Sequence, residues 1–169
     1  MDSNGKCGLY GNDMSCYPVS SATDVGQYAS MYLDSEGRFH IAYYDATSSV
    51  LKYAVEFDSG GNCDVLGSAQ CDEIDTMMQG CNPLGMSMAE DPAGYPVIAY
   101  QSADGSLNVA RPLAALGLPA GSEDCGPLDL SLTWYRDTID PSGGWVAHRD
   151  GGYVSIAVDS AGLATIAYY

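Results

Sequence analysis

Residues 28–44 read YASMYLDSEGRFHIAYY, and the pattern returns in residues 85–101, GMSMAEDPAGYPVIAYQ, and in residues 153–169, YVSIAVDSAGLATIAYY. In every copy a serine lies four residues before an aspartate and a glycine lies three residues after it. An Ile-Ala-Tyr triplet follows seven to nine residues after the same aspartate. Six aligned positions in three places are far beyond chance, so a threefold repeat organises the chain.

Each copy has the pattern of a β-hairpin. Apolar residues alternate with others before the aspartate, as in Ala29, Met31 and Leu33, which is the period of a strand. An aspartate can bond a backbone N–H two residues on, and a glycine can supply the positive φ of a tight turn. These structural turn residues are Asp34 and Gly37, Asp91 and Gly94, and Asp159 and Gly162.

Further strands follow the first two copies. Val50–Val55 and Leu107–Ala110 read as third strands, and Cys71–Asp75 and Trp134–Asp140 read as fourth strands. Four antiparallel strands per repeat are the plan of a β-propeller blade. We therefore predict an all-β fold of antiparallel four-stranded blade repeats. Because the third copy reaches only its second strand at Tyr169, we expect an incomplete ring of two blades plus half a third, completed by a longer protein or by another copy.

The repeat divides the chain into four segments. Residues 1–23 form an N-terminal disulfide-bearing segment that we expect to act as a strand donor. Residues 24–80 form the first blade repeat with a cysteine-bearing loop, and residues 81–140 form the second blade repeat with a long loop. Residues 141–169 form the partial third repeat.

Several stretches carry a resemblance to a known class of protein. DVGQY at 24–28, HIAYYD at 40–45, LKYA at 51–54 and the outer-strand motif at 134–140 fit one repeat unit. That unit resembles the tandem repeats of secreted bacterial proteins predicted to form β-propellers. The resemblance implies the propeller fold, and it carries little about function because propellers host many activities.

The composition opposes two classes of binding partner, nucleic acids and anionic membranes. A formal net charge of −16 opposes binding to nucleic acid or to an anionic membrane surface, which both depend on Lys and Arg. No apolar run approaches the roughly 20 residues of a transmembrane helix. The 13 Tyr, 20 Gly and low lysine content suit β-sheets joined by tight turns. The repeated Tyr43, Tyr100 and Tyr168 are expected to form a structural ladder within the sheets.

Six cysteines outside any metal-ligand spacing favour disulfides and an oxidising compartment. Of the many connectivities, we favour the pairs Cys7–Cys16, Cys63–Cys71 and Cys81–Cys125. We expect the protein to be extracellular, although the polar start of the chain lacks the apolar stretch of a signal peptide.

No constellation of residues indicates catalysis. There is no G-x-S-x-G nucleophile elbow, and His40 and His148 lie in no nucleophile or metal motif. Each repeat aspartate is a single carboxylate in a turn, which favours a structural role over calcium; calcium at the acidic loop 58–64 remains the weaker alternative. We predict a protein that is not an enzyme and has no cofactor or metal.

Two hypotheses for function remain. The first is a structural protein that assembles with itself head to tail into a filament or oligomer, with the segment around residues 9–19 completing a neighbour's sheet. The second is a carbohydrate-binding, lectin-like propeller module, in which Trp145 and Tyr135 stack on sugar rings. We favour the structural hypothesis because the unfinished third repeat leaves a sheet edge without partners, and because Trp145 and Tyr135 are not repeated, which weakens a repeated sugar site.

Overall fold

The computed structural model describes residues 6–7, 14–15, 25–56, 62, 69–76, 85–102, 106–117, 134–141 and 153–169. These residues form short and medium strands in chain order. The strands are β1 (Lys6–Cys7), β2 (Met14–Ser15), β3 (Val25–Leu33), β4 (Phe39–Asp45), β5 (Val50–Glu56), β6 (Ala69–Thr76), β7 (Gly85–Glu90), β8 (Pro96–Gln101), β9 (Leu107–Pro112), β10 (Trp134–Asp140), β11 (Val154–Val158) and β12 (Ala164–Tyr168).

Neighbouring strands along the chain pair antiparallel. β3–β6 make a four-stranded first sheet, β7–β10 make a four-stranded second sheet, and β11 and β12 pair as a two-stranded third sheet. β1 and β2 form a separate pair. The all-β class and the antiparallel four-stranded sheets predicted from the repeat are therefore confirmed. Each of these sheets lies inside one of the four segments defined by the repeat.

Helical structure is minor in the described ranges. They contain no α-helix, and their 3₁₀ turn at Leu113–Leu116 follows directly after β9. Among these residues no helix has the length and apolar character needed to cross a membrane. The sheets are therefore the elements that position any functional surface.

The same turn joins the first two strands of each sheet. Asp34 Oδ1 accepts the backbone N–H groups of Glu36 and Arg38, each at 2.9 Å. The aspartates after β7 and β11 accept N–H groups at the same two offsets. The turn glycines have φ between 82° and 87°, a left-handed conformation that favours glycine. These positions are occupied by Asp34 and Gly37, Asp91 and Gly94, and Asp159 and Gly162.

Two apolar clusters pack the sheets face to face. The larger lies between the first and second sheets and contains Ala42, Tyr44, Leu51, Tyr53, Ile74, Met86, Met88, Ile98, Tyr100, Ala110 and Trp134. The smaller lies between the second and third sheets and contains Val97, Ala99, Val109 and Ile156, with partly buried neighbours. The second sheet thus lies between the other two. Each sheet has a preceding face, toward the sheet before it, and a following face, toward the sheet after it.

Candidate functional site: the contacts between sheets and the exposed ends

A repeated serine joins the first strands of neighbouring sheets. Ser30 Oγ in β3 accepts the backbone N–H of Met88 in β7 at 2.9 Å. Ser87, the next copy of that serine, accepts the N–H of Ile156 in β11 at 3.3 Å. In both contacts the donor directly follows the serine of the next sheet. One repeat position therefore supplies the acceptor, and the position after it supplies the donor.

The strand register explains why these N–H groups can reach a serine. Met88 lies opposite Ile98, and Ile156 lies opposite Ile166. In an antiparallel ladder the N–H groups alternate between pointing at the partner strand and pointing away from it. The N–H that meets the serine points away from its own sheet, because β7 and β11 are edge strands. The contact satisfies a backbone donor that the sheet itself leaves unpaired.

A repeated tyrosine makes a second contact with the preceding sheet. Tyr100 in β8 donates its hydroxyl to Asp75 Oδ2 in β6 at 2.7 Å. Tyr168 in β12 donates to Asp140 Oδ2 in β10 at 2.6 Å. The prediction of a ladder within the sheets is wrong for these two tyrosines, because their side chains lie on the preceding face and cross to another sheet. Both acceptors lie within the last two residues of the fourth strand and directly follow an isoleucine.

Asp75 receives a second donor from the second sheet. The Arg136 guanidinium in β10 forms an ion pair with Asp75 Oδ1. Burial raises the pKa of Tyr100 well above its ordinary value, and the Asp75 carboxylate raises it further. The phenol therefore stays protonated and continues to donate. Hydrogen bonds to an ionised acceptor are stronger than neutral ones, so this cluster fixes the outer strands of the two sheets together.

Tyr43, the first copy of the repeated tyrosine, has no described sheet before it. Its hydroxyl lies 3.5 Å from Cys71 Sγ, within its own sheet. Burial raises the pKa of Tyr43 to about 12, and Asp45 contributes to the rise. Asp45 Oδ2 in turn accepts a hydrogen bond from Lys52 Nζ at 2.7 Å. The preceding face of the first sheet thus carries an ion pair and a buried phenol where the other sheets make an inter-sheet contact.

The two ends of this three-sheet stack expose faces of opposite character. On the preceding face of the first sheet, Met31 and Leu33 are each 60% exposed. On the following face of the third sheet, Ser155, Ala157 and Ala167 are exposed. Ser155 is the third copy of the acceptor serine, and no described residue donates to its hydroxyl. Met31 is the first copy of the donor position.

A cleft of about 520 Å³ lies between the outer strands of the second sheet and the third sheet. Its lining includes Leu107, Val109, Arg111, Tyr135, Asp137 and Ile139 from the second sheet, and Leu163, Ile166 and Tyr168 from the third. Ile74 is 1% exposed beneath the second sheet, whereas Ile139, at the corresponding strand end, is 52% exposed. The difference arises because two strands cover the second sheet where four cover the first.

The cleft also contains one of the two residues predicted to stack on sugars. Tyr135 is half-buried in its wall, near Arg111 and Asp137. Trp145, the other predicted residue, lies outside the described residues. Of the two residues, the described part of the chain therefore places Tyr135 alone in a cleft.

His40 lies in a cluster of aromatic and acidic side chains on the first sheet. The Tyr53 hydroxyl is 2.5 Å from His40 Nδ1, and the Tyr32 ring stacks on the imidazole at 4.4 Å. His40 Nε2 is 3.2 Å from Asp34 Oδ2. An imidazole protonated at Nε2 satisfies both contacts, since it donates to the carboxylate and accepts from the phenol. His40 is thus a buried residue of β4.

The protonation of this cluster suits hydrogen bonding. Burial raises the pKa of Tyr53 and of Tyr32 above the ordinary value for tyrosine. Burial also acts to raise the pKa of Asp34, but hydrogen bonds from Arg38 and His40 outweigh it and hold that pKa below its usual range. The phenols are therefore neutral donors and the carboxylate is an ionised acceptor. The cluster holds the first turn against its own sheet.

The remaining sequence predictions concern cysteines and metals. Cys71 is disulfide-bonded, and its partner is not among the described side chains. Cys16, Cys63, Cys81 and Cys125 lie outside the described residues, and only the backbone of Cys7 is described, so the proposed pairing stays a prediction. Within the described ranges, no group of three or more His, Cys, Asp or Glu side chains could hold a metal ion.

Comparisons with known proteins give no relative on which to base a function. No family model, no curated protein and no solved structure matches the chain. The functional inference therefore rests on the contacts between the sheets and on the surfaces that those contacts leave exposed.

Proposed function

We propose that this chain is a non-catalytic, extracellular structural protein that assembles with itself head to tail by completing β-sheets between copies. One observation carries the proposal. The first and second sheets have four strands each, whereas the third has two, and no described strand pairs with the outer edge of β12. An unpaired edge is a template for an added strand, because its N–H and C=O groups lack partners.

The cleft beside that edge supports the same conclusion. A strand added to β12 would lie over the second sheet, where it would cover Ile139. The equivalent Ile74 is buried in the first interface. Each apolar side chain covered in this way contributes about 1.5–3 kcal/mol. Strand addition would therefore combine backbone pairing with burial of apolar surface.

The order of the strands supports the choice of residues 1–23 as the donated segment. The fourth strand of one sheet leads along the chain to the first strand of the next, as β6 leads to β7 and β10 leads to β11. Residues 1–23 precede β3 in the same way. We therefore assign this segment to the incomplete third sheet of another copy. The assignment interprets each four-stranded sheet as a propeller blade, supported by the direct contacts between the first strands of consecutive sheets.

Composition supports an extracellular setting. The chain has six cysteines and an acidic net charge of −16, which suit a disulfide-containing protein that stays in solution until it assembles. The described residues contain the disulfide-bonded Cys71 in the fourth strand of the first sheet.

Electron microscopy and sedimentation of the purified chain test the proposal. We expect filaments or discrete oligomers of a 17.8 kDa subunit, and we expect deletion of residues 1–23 to leave a folded monomer. A synthetic peptide of residues 1–23, added in excess, should inhibit assembly of the full chain, whereas a scrambled peptide should not. A full chain that remains a monodisperse monomer at high concentration contradicts the proposal.

A carbohydrate-binding module is the second candidate, and the position of Tyr135 in the cleft favours it. An aromatic ring beside charged hydrogen-bonding groups is a common arrangement for holding a sugar, and Arg111 and Asp137 lie in the same wall. This candidate predicts saturable glycan binding that is lost in Tyr135→Ala and in Trp145→Ala. A glycan array without a signal above background removes it.

A further inference from the structure

The two faces of each interface between sheets differ in a consistent way. The following face presents small side chains near its first strand, such as Ser30 and Ala42 of the first sheet. The preceding face of the next sheet presents large ones at the corresponding place, such as Met88 and Ile98. Large side chains thus pack over small ones, and the serine hydroxyl meets the N–H of the large residue.

The interface between the second and third sheets repeats this arrangement. Ser87 and Ala99 face the third sheet, and Ile156 and Ile166 pack over them. Their hydrogen bond again joins the serine to the N–H of the large residue. Two independent interfaces in one chain therefore follow the same rule.

Each end of the stack keeps one half of this interface. Ser155 and Ala167 of the third sheet occupy the places of the small residues, and both are exposed. Met31 of the first sheet occupies the place of the large donor and is 60% exposed. It pairs with Ile41 in the same register as Met88 with Ile98, so its N–H points away from β4.

We propose that the following face of the third sheet docks on the preceding face of the first sheet of a second copy, with Ser155 Oγ accepting the backbone N–H of Met31. The contact is a third instance of the interface already present twice within the chain. This inference rests on the proposed self-assembly and identifies the surfaces that meet in it.

Charge also favours a second copy as the partner. Two molecules of net charge −16 repel each other, so contact residues without charge favour their close approach. The residues that would meet at the contact, Met31 and Leu33 on one face and Ser155, Ala157 and Ala167 on the other, carry no charge. The Asp45–Lys52 ion pair lies elsewhere on the same preceding face. Added salt should therefore strengthen assembly by screening the repulsion.

The docking is compatible with strand donation. A segment donated from residues 1–23 to the third sheet of one copy leads directly into β3 of the donor. The first sheet of the donor then follows the third sheet of the acceptor, as the second sheet follows the first within the chain. Because the contact joins different surfaces, repeated addition gives a filament, or a ring if the rotation closes.

Complementary blocking variants test the docking surfaces. Met31→Asp places a carboxylate on the preceding face of the first sheet, and Ala157→Asp places one on the following face of the third. Each should raise the concentration at which assembly begins by about 100-fold, because an unpaired charge would be buried at the contact. Mixed in equal amounts, the two variants should form dimers and nothing larger, since each retains one intact face. Ser35→Asp and Ser160→Asp, on exposed turns, add the same charge away from both faces and should assemble normally.

The outcomes separate this inference from the proposed function. If Met31→Asp and Ala157→Asp are folded by circular dichroism and assemble like the unchanged chain, the docking surfaces are wrong. If in that case deletion of residues 1–23 still prevents assembly, strand donation stands without them. Folded variants that fail to assemble alone and also fail to form dimers when mixed overturn the pairing of these two faces. A full chain that never assembles overturns both proposals.

Discussion

The first and second interfaces between sheets make the same two hydrogen bonds but differ in how much they bury. Tyr100 donates to Asp75 with its side chain fully covered, whereas Tyr168 makes the equivalent bond to Asp140 while 51% exposed. In the first interface a four-stranded sheet packs on a four-stranded sheet, whereas in the second a two-stranded sheet packs on a four-stranded one. The repeated polar contacts therefore set how the sheets meet, and the outer strands determine how much apolar surface the meeting buries.

Truncating the core of the first interface should have the largest effect. Trp134 is buried and packs edge-on against Tyr53, with the ring centroids 5.0 Å apart. We expect Trp134→Ala to lower the free energy of unfolding by about 3–5 kcal/mol, because it leaves a large cavity between two complete sheets. Ile156→Ala in the second interface should cost about 2 kcal/mol. Urea denaturation followed by circular dichroism measures both, and equal losses would show that the interfaces are equally packed.

Removing one hydroxyl from each interface sharpens the comparison. Tyr100→Phe leaves the part-buried Asp75 without its phenol donor, and we expect a loss of about 1–3 kcal/mol. Tyr168→Phe should give no measurable change in thermal stability, because water can replace the exposed hydroxyl. A large effect of Tyr168→Phe would mean that this bond is shielded from water, as by an added strand.

Tyr100→Phe should also change how the stability of the protein depends on pH in alkaline solution. Burial raises the pKa of Tyr100, so the folded chain holds that proton more tightly than the unfolded chain does. This contribution to the free energy of unfolding is fully present below a pH of about 10, the ordinary pKa of tyrosine in the unfolded chain. It is lost progressively as the pH rises above that value. Unfolding measured across that range should therefore show a shallower fall in Tyr100→Phe than in the unchanged protein. An identical fall would place the alkaline sensitivity in the other buried tyrosines.

A small effect is expected at the repeated serine. Ser30→Ala removes the acceptor of the Met88 N–H and should cost about 1 kcal/mol. Ser155→Ala should leave the stability of the isolated chain unchanged, because no described residue donates to Ser155. The two variants, compared by urea denaturation of dilute samples, separate a serine inside an interface from one at its exposed end. A clear loss in Ser155→Ala would show a partner for that hydroxyl within the chain.

Most of the strand layout could be predicted from the repeat, because strand period and turn chemistry are local. The predicted strand at Trp134–Asp140 coincides with β10, and the predicted strand at Val50–Val55 lies within β5. The turn aspartates make their bonds to residues two and four positions on, a distance that the sequence displays directly.

The contacts between sheets could not be predicted in the same way. A repeat gives the spacing of similar units but not the side on which the next unit packs. The hydrogen bonds of Tyr100 and Tyr168 to the preceding sheet were therefore not predicted. A usable signal was present, since an Ile-Asp pair precedes each tyrosine, with Asp75 25 residues and Asp140 28 residues before it. The cluster around His40 was also missed, because His40 and Tyr53 lie on different strands and only the sheet register brings them together.

The serine contact has a consequence for how such chains can change in length. Its acceptor and its donor are adjacent positions of the same repeat. Every unit therefore supplies the donor for the contact with the preceding sheet and the acceptor for the contact with the following sheet. A tandem duplication of one unit would insert a new sheet together with the groups for both of its inter-sheet hydrogen bonds, and the flanking units would need no compensating substitutions. Nearest-neighbour coupling of this kind lets a repeat array lengthen or shorten by whole units during evolution.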